Sequence, residues 1–134
     1  MKIKLFIFAL SLMALAGCSY FEEDLTSPDG SAPYISVLSP GENTVFTDGQ
    51  VLNLKSEILD KDKINQLEVQ IIKLNAESSN APVWGFTQQP KKNPVVIDTA
   101  LAVSSLPAGD YLLTLNTVDS RTNVGTKEIK FSVK

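Results

Sequence analysis

The chain contains no histidine. That removes the usual general base, the usual zinc ligand and every Ser-His-Asp or Cys-His arrangement. A single cysteine, Cys18, excludes an internal disulfide and any CxxC motif. Neither GxGxxG nor GxxxxGK[ST] occurs, so the glycine-rich phosphate cradles are missing as well. Bases are outnumbered by acids, 12 to 15, and form no basic stripe. Nucleic acid is therefore not an expected partner, since nothing is arranged to neutralise phosphates. The apolar run from Leu5 to Leu15, interrupted only by Ser11, falls short of the roughly 20 helical residues that a bilayer requires.

What is present begins with that run. Met1-Lys2-Ile3-Lys4 is a basic start, Leu5 to Leu15 is an apolar core, and small residues Ala16 and Gly17 follow. This is the layout of an export signal. Leu15-Ala16-Gly17-Cys18 resembles the lipobox of bacterial lipoproteins, where cleavage precedes the cysteine and its thiol carries lipid. The resemblance implies a signal peptide over 1–17 and a covalent lipid on Cys18, with no other cofactor expected. A lone cysteine in an exported chain is otherwise a spare reactive thiol, and acylation accounts for it. Each buried methylene contributes about 0.8 kcal/mol, and one chain alone anchors only marginally. The two or three chains that the resemblance implies would anchor the protein durably.

Ser19 in place of aspartate is compatible with the outer membrane under the enterobacterial sorting rule. Glu22-Glu23-Asp24 just after the cysteine resembles the surface-export signal of Bacteroidetes lipoproteins. The same acids also suit a solvated tether, so periplasmic and surface-facing orientations both stay open. With the first 17 of 134 residues removed, 117 remain, and Lys2 and Lys4 go with them. That leaves 10 basic and 15 acidic residues, a net charge of −5.

Residues 18–32 read as the lipidated cysteine and a flexible acidic tether, in which Ser27-Pro28-Asp29-Gly30 is a turn signal. Extended, residues 19–32 reach about 50 Å at roughly 3.4 Å per residue. From Pro33 the pattern becomes short runs of period two. Seven strands are expected: Tyr34 to Leu38, Gln50 to Leu59, Ile64 to Asn75, a short one around Val83 to Phe86, Pro94 to Val103, Asp110 to Asp119 and Thr126 to Val133. Alternation of this kind buries one face and wets the other. Residues 33–134 are therefore expected to form an all-β, seven-stranded immunoglobulin-like sandwich.

Two places carry that resemblance. Leu106-Pro107-Ala108-Gly109-Asp110-Tyr111 is similar to the corner of immunoglobulin-like and fibronectin-type modules, which implies that the Tyr111 hydroxyl bonds back to the chain. Asp119 followed by Asn123 resembles the Asp-x-x-Gly-Asn turn that ends the next-to-last strand of many such bacterial domains. Here the nearest glycine, Gly125, comes after the asparagine. In layout, residues 18–134 resemble the small single-domain lipoproteins of Bacteroidetes.

Three sets of residues invite chemistry. Asp60, Asp62, Asp119 and Asn123 lie in two turns that share one end of an immunoglobulin-like sandwich, and together they offer oxygen ligands for calcium. The competing reading is that Asp and Asn initiate turns through their own side chains, with Lys61 and Lys63 offsetting their charge. Lys91-Lys92, between Pro90 and Asn93-Pro94, serves as solubility or edge protection, or contacts phosphate or acidic sugars. Finally, Ile72, Leu74 and Leu112 fall on the outward phase of neighbouring strands, with Trp84 on the next. They form either a docking patch for a partner or a small satellite core under Trp84. Taken by itself, Trp84 on the long connection from Asn75 to Asn93 reads either as an aromatic that stacks a sugar or as inward-packing core.

The expected function is a non-catalytic binding or structural module, lipid-anchored at the outer membrane, that meets a protein or glycan. The alternatives are an accessory subunit of an export or uptake complex, and a carboxylate-dependent enzyme acting on glycans. Against the enzyme, about 100 residues of sandwich leave little room for a deep cleft.

Overall fold

The computed structural model describes residues 26–74 and 81–134. The signal peptide, Cys18 and the acidic run Glu22 to Asp24 lie outside the described residues. Among those described, no helix is long and apolar enough to cross a membrane.

Among the described residues eight strands are present rather than seven: β1 Tyr34–Ser39, β2 Thr44–Phe46, β3 Val51–Leu59, β4 Ile64–Lys73, β5 Pro82–Gln88, β6 Val95–Ala102, β7 Gly109–Asp119 and β8 Val124–Val133. The extra one is β2. Its three residues are too short to show a period of two, and they sit between the turn residues Gly41 and Asp48-Gly49. They run parallel to the end of β8, pairing Thr44 with Phe131 and Phe46 with Val133. The Phe46 ring meets Phe131 edge-on at 5.8 Å.

The strands form two sheets, β1-β3-β6 and β2-β8-β7-β4-β5. This is a β-sandwich with the immunoglobulin-like pairings: β3 with β6 in one sheet, and β4 with β7 and β7 with β8 in the other. Alternation in the sequence becomes burial in the fold. In β3, Leu52, Leu54, Ser56 and Ile58 are buried while Asn53, Lys55 and Glu57 are exposed. Leu67, Val69 and Ile71 of β4 and Leu113 and Leu115 of β7 close the core from the other side. The one inward hydroxyl of β3, Ser56, donates to the Ser36 carbonyl at 2.8 Å, so it is not left unpaired.

Tyr111 is fully buried, stacks on Phe131 at 5.3 Å and donates its hydroxyl to the Pro107 carbonyl four residues back. Burial raises its pKa above the ordinary tyrosine value.

Trp84 packs inward, in line with the core reading and unlike either arrangement with Ile72, Leu74 and Leu112. It pairs with Ile71 on the inward face of β5, packs against the core and meets Phe86 edge-on at 5.6 Å. Ile72 and Leu112 are direct cross-strand partners on the opposite, outer face. Trp84 therefore neither covers them nor shares a patch with them. The reason is phase, since the residue opposite an inward Ile71 must also point inward.

Candidate functional site

The polar end of the sandwich is where the chain enters it. Four segments meet there: the incoming residues 29–33, the β3–β4 turn at 60–63, the β5–β6 connection at 89–94 and the β7–β8 turn at 120–123. Asp119 organises the last of these. Its carboxylate is 1% exposed. Oδ1 accepts the backbone N–H of Arg121 at 2.7 Å and of Asn123 at 2.8 Å, and Oδ2 accepts the Asn123 amide at 2.8 Å. Thr122 sits at φ 65, the left-handed region. In Asp119-Ser120-Arg121-Thr122-Asn123 it holds the place that glycine has in the Asp-x-x-Gly-Asn turn. The turn is thus built with a threonine where glycine would be unstrained.

Gly125 serves another purpose. A methyl there would overlap the Pro33 carbonyl oxygen and lie 2.9 Å from Thr117 Oγ1 and 3.1 Å from Pro33 Cβ. Its bare Cα lets the buried Pro33 cross β8 on the way into β1.

Asn123 reaches beyond its turn. Its amide also donates to Asp29 Oδ1 at 2.9 Å, and its Oδ1 accepts the Gly30 N–H at 3.2 Å. The segment before β1 is thereby fastened to the far end of the chain. Asp29 gains a cation too, because the Lys61 ammonium lies against its Oδ2. The Lys61 contact, helped by the Ser31 N–H and the Asn123 amide and opposed by partial desolvation, lowers the Asp29 pKa to about 2. The Lys61 pKa is raised in return.

Of the four residues considered for calcium, Asp62, Asp119 and Asn123 come together and Asp60 does not join them. Its Oδ1 accepts the Asp62 N–H at 3.1 Å and its own N–H donates to Asn93 Oδ1 at 3.1 Å, so it shapes the turn. The third carboxylate is Asp29, and oxygens of Asp29, Asp62 and Asp119 lie within 4.8 Å of one another. A side-chain cation occupies this group. Arg121, 7% exposed, sets Nε 3.3 Å from Asp62 Oδ2 and 3.8 Å from Asp29 Oδ2. Arginine suits the place because its charge cannot be lost and its planar fork serves several acceptors. A metal ion would have to displace Arg121 and Lys61 before it could reach the oxygens.

The sequence pointed to Asp119 and Asn123 but missed Asp29 and Arg121. Asp29 lies 94 positions from Asn123 and looked like part of an ordinary turn. Arg121 stood between the two turn residues, and only the fold shows that it points into the acids.

The remaining candidates lie elsewhere. Ile72, Leu74 and Leu112 are all half-buried on the outer face, and the Leu74 N–H donates to the Asp110 carbonyl at 2.8 Å. Among the described residues the most exposed large apolar side chains belong to the other sheet: Tyr34 at 68%, Leu38 at 72% and Val96 at 65%. Leu38 and Val96 lie beside the Lys55–Asp98 pair, 3.7 Å apart, on the outer face of β1-β3-β6, and Tyr34 pairs with Leu59 further along β3.

The chain matches no family model and no curated protein sequence. Solved structures do resemble it. OgpA from Akkermansia muciniphila aligns over 80% of this chain and 30% of its own, at 12% identity and a TM-score of 0.54. The fibronectin(III)-like modules of CbhA from Clostridium thermocellum align over 78% and 47%, at 13% identity and 0.49. CopC from Methylosinus trichosporium OB3b aligns over 78% and 93%, at 14% and 0.44. The chain thus spans under half the length of the first two. At such identities the likeness extends to the sandwich fold alone.

Proposed function

We propose that this chain is a non-catalytic envelope module, held by lipid on Cys18 at the outer membrane, whose sandwich meets a protein or glycan partner. The observation that carries the reading is Leu15-Ala16-Gly17-Cys18 at the end of a basic-then-apolar start, with the only cysteine of the chain in the acylated position. The fastening of Asp29 and Gly30 to Asn123 supports it, because a module that hangs from its N-terminal side benefits from a fixed point of entry. The absence of histidine supports the non-catalytic part, as does the use of Asp29, Asp62 and Asp119 in ion pairs and turn hydrogen bonds. The test is Cys18→Ala. Labelled palmitate is expected to enter the parent protein and not the variant, which accumulates as uncut precursor. A variant still processed and still membrane-bound would defeat the reading.

A further inference from the structure

The end of the sandwich that receives the chain also gathers lysines. Lys61 and Lys63 lie in the β3–β4 turn, Lys91 and Lys92 in the β5–β6 connection, and all four are exposed. Backbone bonds hold these loops in one place. The Ile64 N–H donates to the Lys92 carbonyl at 2.9 Å, the Lys91 N–H to the Ile64 carbonyl at 2.8 Å, and the Ser120 N–H to the Lys63 carbonyl at 2.8 Å. Lys91 has φ 52, the left-handed region, so the chain turns sharply there.

The acids of this end are engaged within it. Asp119 is buried, Asp60 is half-buried with Oδ1 on the Asp62 N–H, and the Asp29 and Asp62 side chains, 13% and 22% exposed, are paired with Lys61 and Arg121. Lys63, Lys91 and Lys92 make no ion pair among the described residues. Exposed acids such as Asp48, between β2 and β3, and Asp110, at the start of β7, belong to the opposite end. A chain with a net negative charge therefore presents a basic tip, and does so beside Asp29.

We propose that this tip lies on the anionic surface of the membrane that holds the anchor, with Lys63, Lys91 and Lys92 against lipid headgroup phosphates. The proposal rests on the lipid-anchor reading for its geometry. Residues 19–28 span at most about 34 Å at roughly 3.4 Å per residue, so the end bearing Asp29 is held within that distance of the anchor. A lysine near an anionic surface contributes about 1 kcal/mol, which is roughly a fivefold change in partition, and three make about a hundredfold. Glu22, Glu23 and Asp24 compete for the same lysines. Single exposed ion pairs are worth only about 0.2–1 kcal/mol because two long side chains must hold one geometry. A sheet of phosphates imposes no such register, and this favours the bilayer.

The processed chain, residues 18–134 with Cys18→Ser, is titrated at low salt with phosphatidylcholine vesicles that contain or lack phosphatidylglycerol. Binding is expected only to the anionic vesicles. Lys63→Gln, Lys91→Gln and Lys92→Gln together should weaken it about a hundredfold, at about 1 kcal/mol per lysine. Lys127→Gln, Lys130→Gln and Lys134→Gln, the same loss of charge on and beyond β8, should leave most of it. Circular dichroism checks that both triple variants stay folded. Equal binding to both vesicle types, or equal loss in both variants, overturns the proposal. So does binding that emerges only after Glu22→Gln, Glu23→Gln and Asp24→Asn, which would assign the lysines to the chain's own acids. No lipid is attached in this assay. A failure of palmitate incorporation would therefore sink the anchor and leave the vesicle result to stand by itself.

Discussion

Removing the Asp119 carboxylate is the most informative single perturbation of this fold. In Asp119→Ala two buried backbone N–H groups, of Arg121 and Asn123, lose their acceptor. Each such group costs about 1–3 kcal/mol when left unmade. The Asn123 amide also loses the partner that aims it at Asp29, and Arg121 loses part of the negative field around it. A net loss of about 3–5 kcal/mol is expected, in keeping with the breaking of a buried charged network. For a domain of this size, each kcal/mol is worth roughly 4–8 °C, so melting should fall by about 12–40 °C. Urea denaturation followed by circular dichroism gives the free energy directly. Asp119→Asn is the control. Its carbonyl still accepts the two N–H groups, while its NH2 meets the Asn123 amide donor, so about 1–3 kcal/mol should go with the charge and that bond. An Asp119→Ala loss below about 1 kcal/mol, or an asparagine as damaging as the alanine, would refute the argument that this carboxylate works as a turn acceptor.

Three other changes have outcomes that follow from the geometry. Thr122→Gly should stabilise the protein by up to about 1 kcal/mol in the same denaturation assay, because relief of a left-handed threonine, roughly 1–2 kcal/mol, outweighs the entropy that glycine loses on folding. Asp29, with its pKa lowered to about 2, contributes stability that is complete above the unfolded value near 4 and fades as the pH falls toward 2. The difference in melting temperature between the parent and Asp29→Asn should therefore close across that window and nowhere above it. Tyr111→Phe keeps the ring stacked on Phe131 but removes the bond to the Pro107 carbonyl, for an expected loss of about 0.5–1.5 kcal/mol in a urea titration.

The sandwich was legible because alternation is a local signal. Leu52, Leu54, Ser56 and Ile58 announce one buried face of β3 without reference to any other strand, and the same holds for Leu67, Val69 and Ile71 of β4. Where local pattern ended, so did the reading. β2 has three residues and forms through its partner β8 rather than through any periodicity of its own. Trp84 stays open between core and surface in the sequence, because its inward direction depends on register with Ile71 across a connection that the sequence leaves undetermined. Asp29 could not be attached to Asn123 from sequence, since a contact across 94 positions exists only once the sheets have closed.

The polar end shows how its acids are used. From the sequence, Asp60, Asp62, Asp119 and Asn123 in two turns read either as oxygen ligands for calcium or as turn formers, and the fold adds a fourth carboxylate, Asp29, from the incoming segment. In the fold, Asp60 has turned to the backbone, Asp119 has taken two N–H groups and an amide, and Asp29 and Asp62 share Arg121. The cation that such a cluster needs is already on the chain, two residues past Asp119. The consequence concerns Trp84 and the other end as well. With entry pinned by this network, strand direction carries the β2–β3 turn and the start of β7 away from Asp29, and Trp84 packs into the flank between. Trp84→Ala should then act on stability rather than on any partner. It should cost about 2–4 kcal/mol, somewhat below the 3–5 kcal/mol of a fully buried aromatic, because the ring is only partly covered. Circular dichroism in urea reads the loss. A variant as stable as the parent would mean that the ring contributes nothing to the core, and that the inward face of β5 is free to serve a ligand.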